Sequence, residues 1–137
     1  MLIQRLHHVA YVVHDLDEAL PLFTDRFGLE VSVREHMDDQ AVEALALDTH
    51  AGQIELIAPT TPDSGIRRFL ESRGPGLHHI AYEVEDLRAA LRQLAEQGVE
   101  LIDSTPRRGL GGHQVAFVHP QSAGGALTEL VQANPDH

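Results

Sequence analysis

Alternating and helix-periodic apolar positions predict the same succession of elements in each half of the chain: strand, helix and three strands. In the first half, a β-branched strand is followed by Asp15, which with Glu18 resembles a capping box at the start of a helix. Pro21 lies inside the predicted helix and disfavours an unbroken one, and Gly28 ends it. The first half is predicted to contain strand 6–13, a helix from residue 16, and strands 29–34, 41–47 and 53–57.

The second half repeats this order after a proline- and threonine-rich segment, residues 59–65, and a short helix at 66–71. Asp86 is the predicted N-cap of an amphipathic helix that Gly98 ends. The second half is predicted to contain strands 77–84, 99–102, 114–118 and 126–132, a glycine-rich loop at 105–112, and a polar tail from Ala133 to His137.

The chain contains two near-copies of one sequence, Leu6-His7-His8-Val9-Ala10-Tyr11 and Leu77-His78-His79-Ile80-Ala81-Tyr82, at an offset of 71 residues. A repeat at a fixed offset indicates duplicated supersecondary units, and two copies indicate one domain made of two similar halves. We therefore predict a single α+β domain over residues 1–137, with module one at about 1–59 and module two at about 76–133. The recurring histidine pair also indicates a shared site.

Composition limits the kinds of function. The net charge of −11, with arginine as every one of the ten basic residues, argues against nucleic-acid binding, although local arginines can still bind an anionic small ligand. No apolar run reaches the roughly twenty residues of a membrane span, and the N-terminus leaves no room for a signal peptide. We therefore expect a cytoplasmic protein. Because the chain has no cysteine, any metal must use nitrogen and oxygen ligands.

Each half ends in a strand that carries a glutamate among branched apolar residues, Glu55 in the first and Glu129 in the second. Either glutamate alone fits a solvent-facing position, since burying an unpaired carboxylate is costly. Together with one strand histidine from each half, His8 and His79, they form a suitable ligand set for a divalent first-row metal. We predict these four residues as metal ligands, and Co, Mn, Ni and Zn all suit them.

The neighbouring histidines have more than one interpretation. Strand alternation turns His7 and His78 away from the predicted ligands, so packing against the helices is favoured over metal ligation. His113 and His119 flank the last hairpin strand and could contact a ligand.

The loop predicted after strand 99–102 carries two adjacent arginines and three glycines, in the order Arg107-Arg108-Gly109-Leu110-Gly111-Gly112. Guanidinium groups and exposed backbone amides can bind phosphate. A plain surface turn is the other interpretation of the same residues.

Several segments carry a resemblance to a known family: Leu6-His7-His8-Val9-Ala10, Glu55-Leu56-Ile57-Ala58-Pro59, Asp63-Ser64-Gly65-Ile66, Gly76-Leu77-His78-His79-Ile80-Ala81, Pro106-Arg107-Arg108-Gly109, His119-Pro120 and Gly125-Ala126-Leu127-Thr128-Glu129-Leu130. With the His, Glu, His, Glu order, the paired halves resemble the vicinal oxygen chelate superfamily. Along almost its whole length the chain resembles the methylmalonyl-CoA epimerases.

The resemblance implies a glyoxalase-like fold of two βαβββ modules and an isomerase that inverts the α-carbon of methylmalonyl-CoA through a metal-stabilised enolate. It implies that Glu129 is both a metal ligand and a general base. It further implies an acyl-CoA substrate and a homodimer. The residues expected to contact that substrate are Arg107, Arg108, Gly109 and His119.

The second acid–base group departs from the family pattern. Some members carry a glutamate shortly after Gln-Gly-Val, whereas the segment here is Gln40-Ala41-Val42-Glu43-Ala44, which puts that glutamate's place at Ala44. A slip of one residue turns a strand side chain to the other face, so Glu43 is the second catalytic residue only if a β-bulge restores its direction. A solvated strand carboxylate is the alternative. Gln121 also replaces the lysine that usually follows His-Pro.

Three functions remain open: the epimerase, a glyoxalase I-type lactoylglutathione lyase, and a non-catalytic small-molecule (antibiotic) binding protein of the same fold. The four candidate ligands argue against the binding protein. The Pro-Arg-Arg-Gly and His-Pro motifs favour a CoA ester over a glutathione adduct.

Overall fold

A computed structural model describes residues 1–135, so the predicted tail position of His137 lies outside the described residues. The strands are β1 (Arg5–Val12), β2 (Glu30–Met37), β3 (Val42–Asp48), β4 (Gln53–Pro59), β5 (Gly76–Glu83), β6 (Arg107–Arg108), β7 (Gln114–Val118) and β8 (Thr128–Gln132). The helices are α1 (Leu16–Pro21), α2 (Gly65–Arg73) and α3 (Leu87–Glu96). Within the described range, no helix has both the length and the apolar content that a bilayer crossing requires.

The chain divides into two compact units. One comprises Val9–His78, and the other joins Met1–His8 to the chain from His79 onward. Strands β1 and β5 are therefore each shared between the units. Module one was predicted at about 1–59 and module two at about 76–133, and these bounds stay predictions.

In the unit Val9–His78, β2, β3 and β4 form an antiparallel sheet. One face of this sheet packs on α1 through Leu45, Leu47 and Leu56, each with 0% of its surface exposed. Residues paired directly across antiparallel strands share a face, so Glu55, which pairs with Ala46, lies on the face away from α1. The α+β prediction is confirmed, and on the face opposite to the helix Glu55 lies among the buried residues Ala44, Ala46 and Ile57.

Helix α1 begins where the capping pattern predicted. The Asp15 side chain accepts a hydrogen bond from the backbone N–H of Glu18 at 2.9 Å. The α-helix ends at Pro21 and is followed by a π-helical turn, Leu22–Arg26. Gly28 follows in the left-handed region with φ 76°, as expected for a helix end.

In the second unit, β8 pairs in parallel with β5 and antiparallel with β7, and β7 pairs with β6. Helix α3 starts at its predicted cap, Asp86, which accepts from the Ala89 N–H at 3.1 Å. It packs on one face of these strands. The buried residues of that contact are Val84, Leu87, Ala90, Leu91, Ala116, Val118 and Leu130.

The strand predicted at residues 99–102 is wrong. Only one bridge forms there, between Leu101 and Val118. The Asp103 carboxylate accepts the N–H of Phe117 at 2.9 Å, which removes the backbone donor that a continuing strand would use. The short strand β6 forms instead inside the predicted glycine-rich loop.

Candidate metal centre

Three predicted ligands come together inside the second unit: His8 from β1, His79 from β5 and Glu129 from β8. Their residues are 4%, 5% and 7% exposed. Nε2 of His8 lies 3.1 Å from Nε2 of His79 and 3.3 Å from Oε1 of Glu129, and the His79–Glu129 separation is 3.8 Å. A point equidistant from these three atoms lies about 2 Å from each, the length of zinc bonds to histidine nitrogen and carboxylate oxygen.

Strand register accounts for this convergence. Ala81 pairs with Glu129 in the parallel β5–β8 ladder, and His79 lies two residues before Ala81 on the same face. Glu129 also pairs with Phe117 on β7, whose ring meets that of His79 edge to face at 5.2 Å between centroids. Helix α3 packs on the other face of these strands, so it does not cover the ligands.

The donors suit a divalent first-row metal. A carboxylate as buried as that of Glu129 is costly unless it is paired or bound to a cation. Burial, together with the neighbouring His7 and His113, lowers the pKa of His8 from 6.5 to about 3, so the imidazole is neutral at pH 7. A neutral imidazole is the form that binds metal.

The two histidines that precede the ligands have different surroundings. His78 packs on a helix as predicted, since its ring meets that of Phe69 on α2 at 5.0 Å. For His7 the prediction of helix packing is wrong. Its ring contacts His8 at 5.0 Å and His113 at 5.1 Å between centroids. Burial and the nearby His113 lower the pKa of His7 to about 4.

Glu55, the fourth predicted ligand, belongs to the unit Val9–His78. The residue as a whole is half-buried. Desolvation of its carboxyl group by burial nevertheless raises its pKa from 4.5 to about 8. In this environment a nearby cation would stabilise the charged form of the carboxyl group.

Glu43 lies on the face of β3 that packs against α1, opposite to the face of Glu55. Its Oε1 accepts from Arg34 at 2.7 Å, and the same guanidinium donates to Asp17 at 2.7 Å. The irregularity in the β2–β3 pairing falls at Val31–Val33 on β2, away from Glu43. The bulge on which a catalytic role for Glu43 depended is therefore absent from β3, and Glu43 is a surface ion-pair residue.

The predicted arginine loop lines a pocket of about 210 Å³, to which Arg88 from the first turn of α3 also contributes. Arg107 lies over the ring of Phe117 at 5.3 Å and 3.5 Å from the Asp103 carboxylate. Sequence reasoning missed both Arg88 and Phe117. Phe117 could have been found from its place in register with Glu129, but no local motif marks Arg88.

Two further residues of this region have structural roles. A Cβ added to Gly109 would lie 2.7 Å from Cγ1 of Val115, so the loop passes too close to β7 for a larger residue. His119 caps a short 3₁₀ turn, because its Nδ1 accepts from the N–H of Gln121 at 3.1 Å. Their predicted contacts with substrate stay predictions.

Comparison with known proteins gives consistent matches. Residues 7–117 match the family sequence model of the Glyoxalase/Bleomycin resistance protein/Dioxygenase superfamily. The ethylmalonyl-CoA/methylmalonyl-CoA epimerase of Cereibacter sphaeroides is 38% identical, over 96% of this chain and 99% of its own length.

Two solved structures are similar over nearly the whole chain. The methylmalonyl-CoA epimerase of Mycobacterium tuberculosis has a TM-score of 0.93 and 41% identity, covering 98% of this chain and 91% of its own. A methylmalonyl-CoA epimerase in complex with methylmalonyl-CoA and NH4+ has a TM-score of 0.91 and 33% identity, with coverage of 98% and 97%.

Proposed function

The chain belongs to the glyoxalase/bleomycin resistance protein/dioxygenase superfamily, and from this premise we propose that it is a metal-dependent methylmalonyl-CoA epimerase. The observation that carries the proposal is the buried cluster of His8, His79 and Glu129, whose donor atoms surround a point at metal-bond distance. Relatives named for that activity align with nearly all of the chain.

A bound divalent cation would act as a Lewis acid toward the oxygens of a malonyl thioester, favouring loss of the α-proton. His8 and His79 would hold it through Nε2, and Glu129 through Oε1. A carboxylate has two oxygens, so Glu129 can also take up the α-proton through its other oxygen. The ring of Phe117 beside His79 helps to keep water from this face.

Glu55 is proposed as the fourth ligand, because a cation offsets the desolvation that raises its pKa. Co, Mn, Ni and Zn remain the candidate metals. A homodimer, a cytoplasmic location and a single domain over residues 1–137 belong to the same proposal.

The pocket of Arg88, Arg107 and Arg108 supports a CoA ester as the substrate class, since three guanidinium groups around one small pocket favour phosphate. In a chain of net charge −11, an anionic substrate would bind most favourably at such a local basic cluster.

The test is solvent exchange. Metal-loaded protein is incubated with (2S)-methylmalonyl-CoA in deuterated water, and α-deuterium incorporation and the (2R) isomer are followed by mass spectrometry and a coupled assay. Ethylmalonyl-CoA is assayed in parallel because the Cereibacter relative carries both names. We expect exchange with methylmalonyl-CoA, and its loss in Glu129→Gln.

The control is Glu43→Gln, which alters the surface ion pair with Arg34 and should leave exchange unchanged. Absence of α-exchange together with turnover of methylglyoxal and glutathione would overturn the epimerase proposal in favour of the lyase.

A further inference from the structure

His7 contacts His8 at the ring nitrogen that faces away from the ligand cluster. Nδ1 of His7 lies 2.8 Å from Nδ1 of His8, whereas Nε2 of His8 faces Glu129 at 3.3 Å. The two residues are 6% and 4% exposed, so little water can compete for this contact. His7 is therefore adjacent to the ligand cluster without belonging to it.

The separation of 2.8 Å requires one proton between the two Nδ1 atoms. A neutral imidazole has one N–H and one lone pair, on different nitrogens. When His8 uses the lone pair of Nε2 for a cation, its proton is on Nδ1, and that N–H donates to Nδ1 of His7. His7 is then neutral, with its own proton on Nε2.

We propose that His7 is a positioning residue that holds His8 in its metal-binding tautomer by accepting a hydrogen bond from Nδ1–H. The inference rests on the proposed metal site and is independent of which substrate the site takes. The outer partner of a metal-bound histidine is commonly a carboxylate, a backbone carbonyl or water. Here it is a second imidazole, which orients the ligand without adding negative charge.

The orientation of the His7 ring is itself supported. The ring of His113 meets it edge to face at 5.1 Å, with an angle of 84° between the planes. Nδ1 of His113 accepts the backbone N–H of Asn134 at 2.7 Å. Since a backbone N–H only donates, this bond fixes Nδ1 as the unprotonated nitrogen of His113. A defined His113 ring thus packs against His7.

The test compares metal affinity in three variants by calorimetry and chelator competition with Co²⁺ and Zn²⁺. His7→Leu removes the acceptor and should weaken binding by about 10- to 100-fold, the usual cost of losing an outer partner. His7→Asn places an amide oxygen near the former Nδ1 and should recover most of that loss. His50→Leu removes an exposed histidine from the β3–β4 turn and should change nothing.

A second readout needs no variant. In the Zn²⁺-loaded, ¹⁵N-labelled protein, two-dimensional ¹H–¹⁵N spectra should show the proton of His8 on Nδ1. Unchanged affinity in His7→Leu would overturn the positioning role while leaving the metal site intact. A proton on Nε2 would remove His8 from the proposed ligands, because that nitrogen could not then bind metal, and would overturn this inference with it. Failure of the unaltered protein to bind either metal would overturn the site and this inference together.

Discussion

Replacing Glu129 with glutamine would remove charge from the candidate site while keeping its shape. The substitution keeps the side-chain length but removes the negative charge that Oε1 presents 3.3 Å from Nε2 of His8. Because Glu129 is only 7% exposed, solvent can do little to replace the lost anionic ligand. Metal affinity should fall at least as much as the 10- to 100-fold that follows the loss of an outer hydrogen-bond partner of a ligand. We take a fall of about 100-fold.

The magnitude follows from binding linkage. With metal at 100 times the wild-type Kd, binding stabilises the folded protein by about 2.7 kcal/mol. A variant with about 100-fold weaker affinity then has metal at its own Kd and gains about 0.4 kcal/mol. The difference of about 2.3 kcal/mol corresponds to about 8 °C in Tm for a domain of this size.

The assay is thermal unfolding with and without metal, followed by circular dichroism. Wild type should gain about 8 °C more than Glu129→Gln at the same metal concentration. The matched control is Glu96→Gln, which removes an exposed carboxylate of α3 and should respond to metal as the wild type does. Equal metal-induced shifts in wild type and Glu129→Gln would refute the assignment of Glu129 as a ligand.

Three further predictions concern pH, substrate affinity and capping. Burial lowers the pKa of His8 to about 3 and that of His7 to about 4, both from 6.5, so the unfolded chain binds more protons below pH 6.5. The free energy of unfolding of the metal-free protein, measured with urea, should therefore fall by up to about 1.4 kcal/mol per pH unit for each histidine between pH 6.5 and pH 4.5. A free energy that does not change with pH would contradict this. Arg88→Gln should raise KM for the CoA ester with little change in kcat, whereas Arg92→Gln on the exposed side of α3 should change neither. Asp86→Ala removes the helix cap and should cost about 1 kcal/mol in the free energy of unfolding, measured with urea.

Local signals were enough for much of the fold. Asp15 and Asp86 are caps whose side chains bond the first turn of their helices, and the sequence marks both. Strand β7 was predicted at its observed bounds because Gln114 begins a short run whose other four residues, Val115 to Val118, are all apolar. The strand at 99–102 failed for a non-local reason, since the Asp103 side chain competes for the N–H of a residue fourteen positions away.

The part of the candidate site that lies in the duplicated strand was predictable from the sequence. His8 and His79 occupy equivalent places of a duplicated strand, and their convergence with Glu129 follows from strand register. The contact between His7 and His8 was not predictable, because alternation assigns adjacent strand residues to opposite faces. Ring rotation brings their Nδ1 atoms together all the same. Rotamers of this kind depend on neighbours such as His113, which the sequence places 106 positions from His7.

The turn before β3 has a consequence for how this site could change. Ala41 adopts a left-handed conformation with φ 55°, which costs a non-glycine residue about 1–2 kcal/mol. With that turn in place, Ala44 shares the face of Glu55 and is 1% exposed, while Glu43 faces the other way. A single exchange, Ala44→Glu, would therefore place a second carboxylate on that face, at a buried position where the added carboxyl group would need a partner. One substitution would therefore change the number of acid–base groups on the face of Glu55.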